Sequence, residues 1–250
     1  MSFDSSNASP HPALAAGARL ADVATAAAVC DLCKLAAGRT QVVFGVGRPD
    51  ADLMFVGEGP GEQEDLKGEP FVGRAGQLLT QLIEGIGLTR DDVYIANVVK
   101  CRPPGNRDPQ PDEIEACAPW LDRQLELIRP RVIVTLGNFA TKFVLKTQVG
   151  ITRLHGTVQH TGRFTVLPIY HPAAAIYDRT KHDDLVADFE RLARVLAEEQ
   201  PGDRAHLGEE PLAEGTCEPA DAVSEGLATQ ADEVTGSADL PPVGDQQRLF

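Results

Sequence analysis

No stretch of this sequence is long and apolar enough to cross a bilayer. Its first residues, Met1-Ser-Phe-Asp-Ser-Ser-Asn7, lack the positive region that opens a secretory leader. A cytoplasmic location is therefore expected, where thiols stay reduced and disulfides are disfavoured. Internal repeats are also missing. Positive charge is scarce: Lys and Arg number 23 against 37 Asp and Glu, a net charge of −14. At first sight this excludes a nucleic-acid partner, but the distribution of the charge points the other way. Residues 197–250 hold 13 acidic and 2 basic side chains, leaving residues 1–196 with 24 and 21. The acidity is mostly a property of the tail, and a nearly balanced body with local basic patches can bind phosphates.

What is present begins with ordinary material for one core: 250 residues, 42% of them hydrophobic. Five cysteines follow an uneven pattern, with Cys30-x2-Cys33 and Cys101-x15-Cys117 as two separated pairs and Cys217 alone in the tail. A C-x2-C pair can bring both thiolates to one centre. Four thiolates complete a tetrahedral zinc site or hold a [4Fe–4S] cluster. Either would pin the loop Asn97-Val-Val-Lys-Cys-Arg-Pro-Pro-Gly-Asn106 to the N-terminal segment.

Residues 1–18, rich in Ala, Ser and Pro, read as unordered, and Arg19 to Val29 as a short Ala-rich helix. Asp52 to Gly57 is a buried strand running into the loop Gly57-Glu-Gly-Pro-Gly61. Ala75, Leu78, Leu79, Leu82, Ile83 and Ile86 follow helical spacing, with Gly87 as a C-terminal cap. Val93 to Val99 is the next strand. Asp112 with Glu115 then reads as a helix start, followed by a stripe of Ile114, Ala118, Leu121, Leu125 and Ile128. Arg131 to Leu136 is a strand before an Asn138-led helix. Thr157 to His160 and Phe164 to Ile169 form a strand pair, and Leu185, Phe189, Leu192, Val195 and Leu196 stripe a closing helix. This alternation predicts an open α/β sheet, mostly parallel, in which ligands bind beyond the strands' carboxyl ends. Glu58, Asn97 and His171 all fall at such ends.

The segments Gly57-Glu-Gly-Pro-Gly-Glu62, Pro70-Phe-Val-Gly-Arg-Ala-Gly76, Asn97-Val-Val-Lys-Cys-Arg-Pro-Pro104, Val134-Thr-Leu-Gly137 and His171-Pro172, with the four cysteines, resemble the iron–sulfur (family 4) uracil-DNA glycosylases. The likeness spans roughly residues 25–197. It implies a three-layer α/β/α domain over residues 19–197, with a central four-stranded, mostly parallel sheet. It also implies hydrolysis of the N-glycosidic bond of uracil in DNA after base flipping. His171 reads by residue type as a strand-end histidine satisfied by backbone; the resemblance makes it the donor to uracil O2. Asn97, otherwise a turn residue, becomes the reader of O4 and N3–H. Phe71, otherwise core packing, becomes the stacking partner of the flipped ring. Glu58 is implied in placing the water or balancing charge on the sugar, beside Gly59, where better-known relatives carry an aspartate. Asn106 supports water attack, and Glu64 is the candidate for excluding thymine. The cluster implied on Cys30, Cys33, Cys101 and Cys117 is [4Fe–4S], with zinc the alternative. DNA contacts are expected from the Gly59–Gly61 amides, Arg74, Lys100, Arg102 and Arg107. The loop after His171, with Ile176, Tyr177 and Arg179, resembles the minor-groove wedge. A same-fold branch that traps uracil covalently carries a basic insertion after the cysteine loop. This chain runs Arg102-Pro-Pro-Gly-Asn-Arg-Asp-Pro109 without it, which favours turnover. The further alternative is a non-catalytic, metal-stabilised DNA-binding module.

Residues 198–245 are acidic and poor in large apolar side chains, the composition of a disordered segment. The last five, Gln246-Gln-Arg-Leu-Phe250, are similar to short peptides that bind bacterial sliding clamps, with Gln246, Leu249 and Phe250 as anchors. A monomer tethered by this leash is the simplest expectation, working on uracil-containing DNA at the nucleoid.

Overall fold

A computed structural model describes residues 17–198. The strands are β1 (Val46–Gly47), β2 (Leu53–Gly57), β3 (Tyr94–Asn97), β4 (Val132–Leu136), β5 (Gln159–His160) and β6 (Thr165–Ile169). The helices are α1 (Leu20–Ala28), α2 (Glu62–Lys67), α3 (Arg74–Gly85), α4 (Pro111–Ile128), α5 (Gly137–Leu145), α6 (Ile151–Leu154), α7 (Pro172–Ala175) and α8 (Arg179–Glu198). The sheet runs β1-β3-β2-β4-β6-β5. Its four central strands are parallel, as expected, and the two-residue strands β1 and β5 lie antiparallel at its edges. The sheet thus has six strands rather than four. β5 is the short half of the expected strand pair, while β1 is too brief to show any alternation.

Every residue of β2, β4 and β6 is buried because helices cover both faces. Period-2 geometry then sorts the side chains. Leu53, Phe55, Val134 and Leu167 join one core with Leu79, Ile83, Leu185 and Phe189 from α3 and α8. Met54, Val56, Ile133 and Val166 join the other with Val23, Trp120, Leu121 and Ala140 from α1, α4 and α5.

Helix α4 is capped two residues before the expected position. The capping box closes between Gln110 and Glu113, not Asp112 and Glu115. Arg107 explains the choice: its two terminal nitrogens bond both Glu113 oxygens at 2.6 and 2.8 Å, so the carboxylate is buried and ion-paired. The buried face of α4 is correspondingly turned to Cys117, Trp120, Leu121, Gln124 and Ile128, leaving Ile114, Ala118 and Leu125 at its flanks.

The chain leaves β2 toward β3 through α3 on one face, then leaves β4 toward β6 through α5 on the other. Neighbouring β2 and β4 therefore flank a topological switch point, where open α/β sheets form their ligand crevice.

Candidate active site

Two glycines at strand ends allow the site to close. Gly57 ends β2 opposite Asn97 of β3. A β-carbon there would lie 2.4 Å from the Asn97 Oδ1 and 2.7 Å from the Phe71 Cζ, so only glycine lets the carboxamide and the ring meet. Gly137 follows β4 with φ +89°, and a β-carbon on it would crowd the His171 Cβ at 3.0 Å. The Phe71 and His171 rings stand 5.7 Å apart at 31°. Three polar or aromatic side chains from distant segments thus converge at the switch point: Asn97 from the end of β3, His171 from just past β6, and Phe71 from the loop before α3.

Asn97 is 1% exposed, and its Oδ1 has no hydrogen-bond partner. A buried acceptor left unmade costs about 1–3 kcal/mol, and this one can take a donor without giving up a protein partner. His171 caps α7, its Nδ1 accepting from the Ala173 amide at 3.1 Å. Burial lowers its pKa to about 4, the Glu64 charge opposing slightly. The ring is therefore neutral near pH 7, and because Nδ1 accepts, its hydrogen sits on Nε2.

Glu58, half-buried just past β2, has its carboxyl pushed up to about 7, first by burial and then by the charge of Asp108. Asp108 carries no signal in the sequence: it is one acid in a Pro-rich loop. Gly59 packs against Val99, where a β-carbon would approach Cγ2 to 2.7 Å. Asn106 is exposed on a one-turn segment, its Oδ1 accepting from the Arg102 Nε at 2.7 Å. The Glu64 Oε1 accepts from the Val72 and Gly73 amides, both at 2.9 Å, which fixes the chain directly after Phe71.

Lys100 is not a DNA contact. It is 2% exposed, and its Nζ donates to the Asn97 carbonyl at 2.7 Å and to the Gln124 side chain. β1 begins only at Val46, past the position that would face Asn97, and the Lys100 side chain supplies a donor there, its pKa lowered by burial to about 7. Arg107 is likewise committed to Glu113; Arg102 stays partly exposed, its Nε bonded to Asn106 and its Nη1 3.6 Å from Glu62. On the outer rim, exposed Arg74 lies 5.2 Å from the ring of Tyr177, which is 81% exposed. Ile176 is half-buried and Arg179 exposed.

Cys30, Cys33, Cys101 and Cys117 all line one cavity, walled also by Arg39, Lys100 and Trp120. The Arg39 guanidinium points at the Cys101 Sγ at 3.6 Å, and the Lys100 amide at the Cys117 Sγ at 3.2 Å. Such N–H donors suit anionic sulfur. Burial pushes the Cys117 thiol up to about 12, so its thiolate needs a counter-charge. Among the described residues, no three His, Cys, Asp or Glu side chains are grouped to hold a single ion.

Residues 44–196 match a family model described as the uracil DNA glycosylase superfamily. The chain is 48% identical over 180 residues to a type-4 uracil-DNA glycosylase of Archaeoglobus fulgidus, covering 69% of this chain and 90% of that one. It is 49% identical over 153 residues to a type-4 enzyme of Thermotoga maritima, covering 60% and 80%. A type-5 uracil-DNA glycosylase of Pyrobaculum aerophilum is more distant, at 36% over 144 residues, covering 51% and 63%. The chain belongs to the type-4 uracil-DNA glycosylases of this superfamily.

Proposed function

We propose that the crevice takes a flipped uracil and hydrolyses its bond to deoxyribose, leaving an abasic site for base-excision repair. The unpaired Asn97 Oδ1 carries this reading. It accepts from uracil N3–H while the amide Nδ2 donates to O4, a pattern that cytosine does not offer. Phe71 stacks on the ring, using a π-face that any base has, so selectivity rests on Asn97.

As the glycosidic bond breaks, its electron pair passes to uracil N1 and spreads onto O2. The neutral His171 donates its Nε2–H to O2 and stabilises the leaving anion without giving up the proton. Positive charge grows on the sugar, and a water oxygen bonds to C1′. Glu58 takes the water's proton, with Asn106 helping to hold that water. A carboxylate with pKa near 7 is well matched to this task.

Cys30, Cys33, Cys101 and Cys117 fit a [4Fe–4S] cluster, with zinc the alternative: four thiols frame one cavity, and N–H donors from Arg39 and Lys100 face two of them. When bound, the group would supply a rigid crosslink between the N-terminal segment and the strand that carries Asn97. Arg74, Arg102, Ile176, Tyr177, Arg179 and the Gly59–Gly61 amides form the DNA-facing rim. The enzyme works as a cytoplasmic monomer at the nucleoid, with residues 19–197 as the catalytic domain. The leash of residues 198–245 and the anchors Gln246, Leu249 and Phe250 tether it to a sliding clamp.

Uracil release from single- and double-stranded oligonucleotides tests the reading. Stoichiometric covalent capture would favour the trapping alternative, and binding without release a non-catalytic module. A broad absorbance near ~400 nm in anaerobically purified protein tests the cluster.

A further inference from the structure

Phe71 is a non-glycine residue with φ +54°, in the left-handed region that aromatic side chains rarely adopt. Such a conformation persists only where its surroundings over-determine it. Arg90, in the short turn Arg90–Asp92 before β3, reaches the two carbonyls of this segment. Its Nη2 donates to the Pro70 carbonyl at 2.8 Å and its Nη1 to the Phe71 carbonyl at 3.3 Å, with the Thr80 hydroxyl of α3 3.4 Å away. The turn itself is fixed by Thr89 and Asp92, whose carboxylate accepts from the Thr89 amide at 2.8 Å and hydroxyl at 2.7 Å. On the other side, a β-carbon on Gly76 would fall 1.7 Å from the Phe71 carbonyl oxygen, so α3 presses directly on the same peptide. Glu64 holds the next two amides.

We infer that Arg90 is a positioning residue for excision: its planar fork locks the strained Phe71 peptide and thereby sets the angle of the ring against His171 and the flipped base. The inference rests on the reading of Phe71 as the stacking residue. Arg90 itself touches no substrate. A guanidinium suits the task because its donors are held in one rigid plane on separate nitrogens, whereas those of an ammonium turn about a single flexible atom.

The test is a double-mutant cycle on uracil release from a single-stranded oligonucleotide, using Arg90→Met, Arg90→Lys, Phe71→Ala and the Arg90→Met/Phe71→Ala pair. Arg90→Met is expected to lower the single-turnover rate about ten- to hundredfold, the scale of an ångström-sized misplacement. Arg90→Lys should fall between it and wild type, and binding to undamaged DNA should stay within about twofold. On top of Phe71→Ala, Arg90→Met should add less than about twofold, because the ring it positions is gone. Full multiplication of the two losses, or a wild-type rate in Arg90→Met, overturns the proposal. A wild-type rate in Phe71→Ala instead overturns the stacking reading. If Arg90→Met does not fold, Arg90→Lys carries the same cycle; loss of fold in both assigns Arg90 to the core and also overturns the proposal.

Discussion

Glu58 and His171 are both shifted by burial, the carboxyl upward and the imidazole downward, and each shift suits a different half of the proposed reaction. With its pKa near 4, His171 stays neutral across the working range and contributes no inflection there. Glu58 titrates near 7, so the rate is expected to fall as pH drops through about 7, and Glu58→Gln should flatten the profile at a much lower rate. A carboxyl raised in the folded state binds its proton more tightly folded than unfolded. Its presence therefore costs stability as pH rises from about 4.5 through about 7. Thermal melts should find Glu58→Gln more stable than wild type above pH 7 and equal to it near pH 4. His171→Ala is expected to lose about a hundredfold or more in rate with the fold retained, the melting temperature falling only by the loss of the α7 cap. Much of this is legible in the sequence: strand-end positions and the family resemblance point to Glu58, Asn97, Phe71 and His171. Asp108 and Arg90 are not, since neither lies in a spacing pattern and each acts through a partner that only the fold brings near. Lys100 misleads because a lysine beside arginines suggests a phosphate contact, whereas the edge of β3 needs a buried donor.

At the scale of elements, the four parallel strands and their helices follow directly from apolar runs and helical stripes. What periodicity does not supply are β1, a strand of two residues, and the rotation of α4 set by the Arg107–Glu113 pair. Arg107 holds the Glu113 carboxyl down to about 2, so this pair's contribution to stability is full above about 4.5 and is lost as pH falls through about 2. Glu113→Gln should lower the urea midpoint at neutral pH, and the deficit should shrink as wild type is acidified toward pH 2. The same elements divide the basic residues into buried and free. Arg74→Ala should reduce the slope of log affinity for DNA against log salt by about one, while Lys100→Met should leave that slope unchanged.

Across the whole molecule, charge and chemistry separate along the chain. The body holds the crevice and the cysteine cavity, and no helix among its described residues is long and apolar enough to cross a membrane. The expectations for residues 1–16 and for the acidic leash, Cys217 and the terminal pentapeptide lie outside the described residues. The clamp tether is tested in solution: deleting residues 246–250 should leave the rate on short oligonucleotides unchanged and weaken binding to a sliding clamp. The most direct measurement for the molecule as a whole is the rate of uracil release by Asn97→Ala, taken together with its melting temperature. Because the Oδ1 is buried without a partner, the expected result is a loss of about a hundredfold or more in rate at a melting temperature within about 2 °C of wild type. A rate within about threefold of wild type would contradict the assignment of Asn97 as the uracil reader.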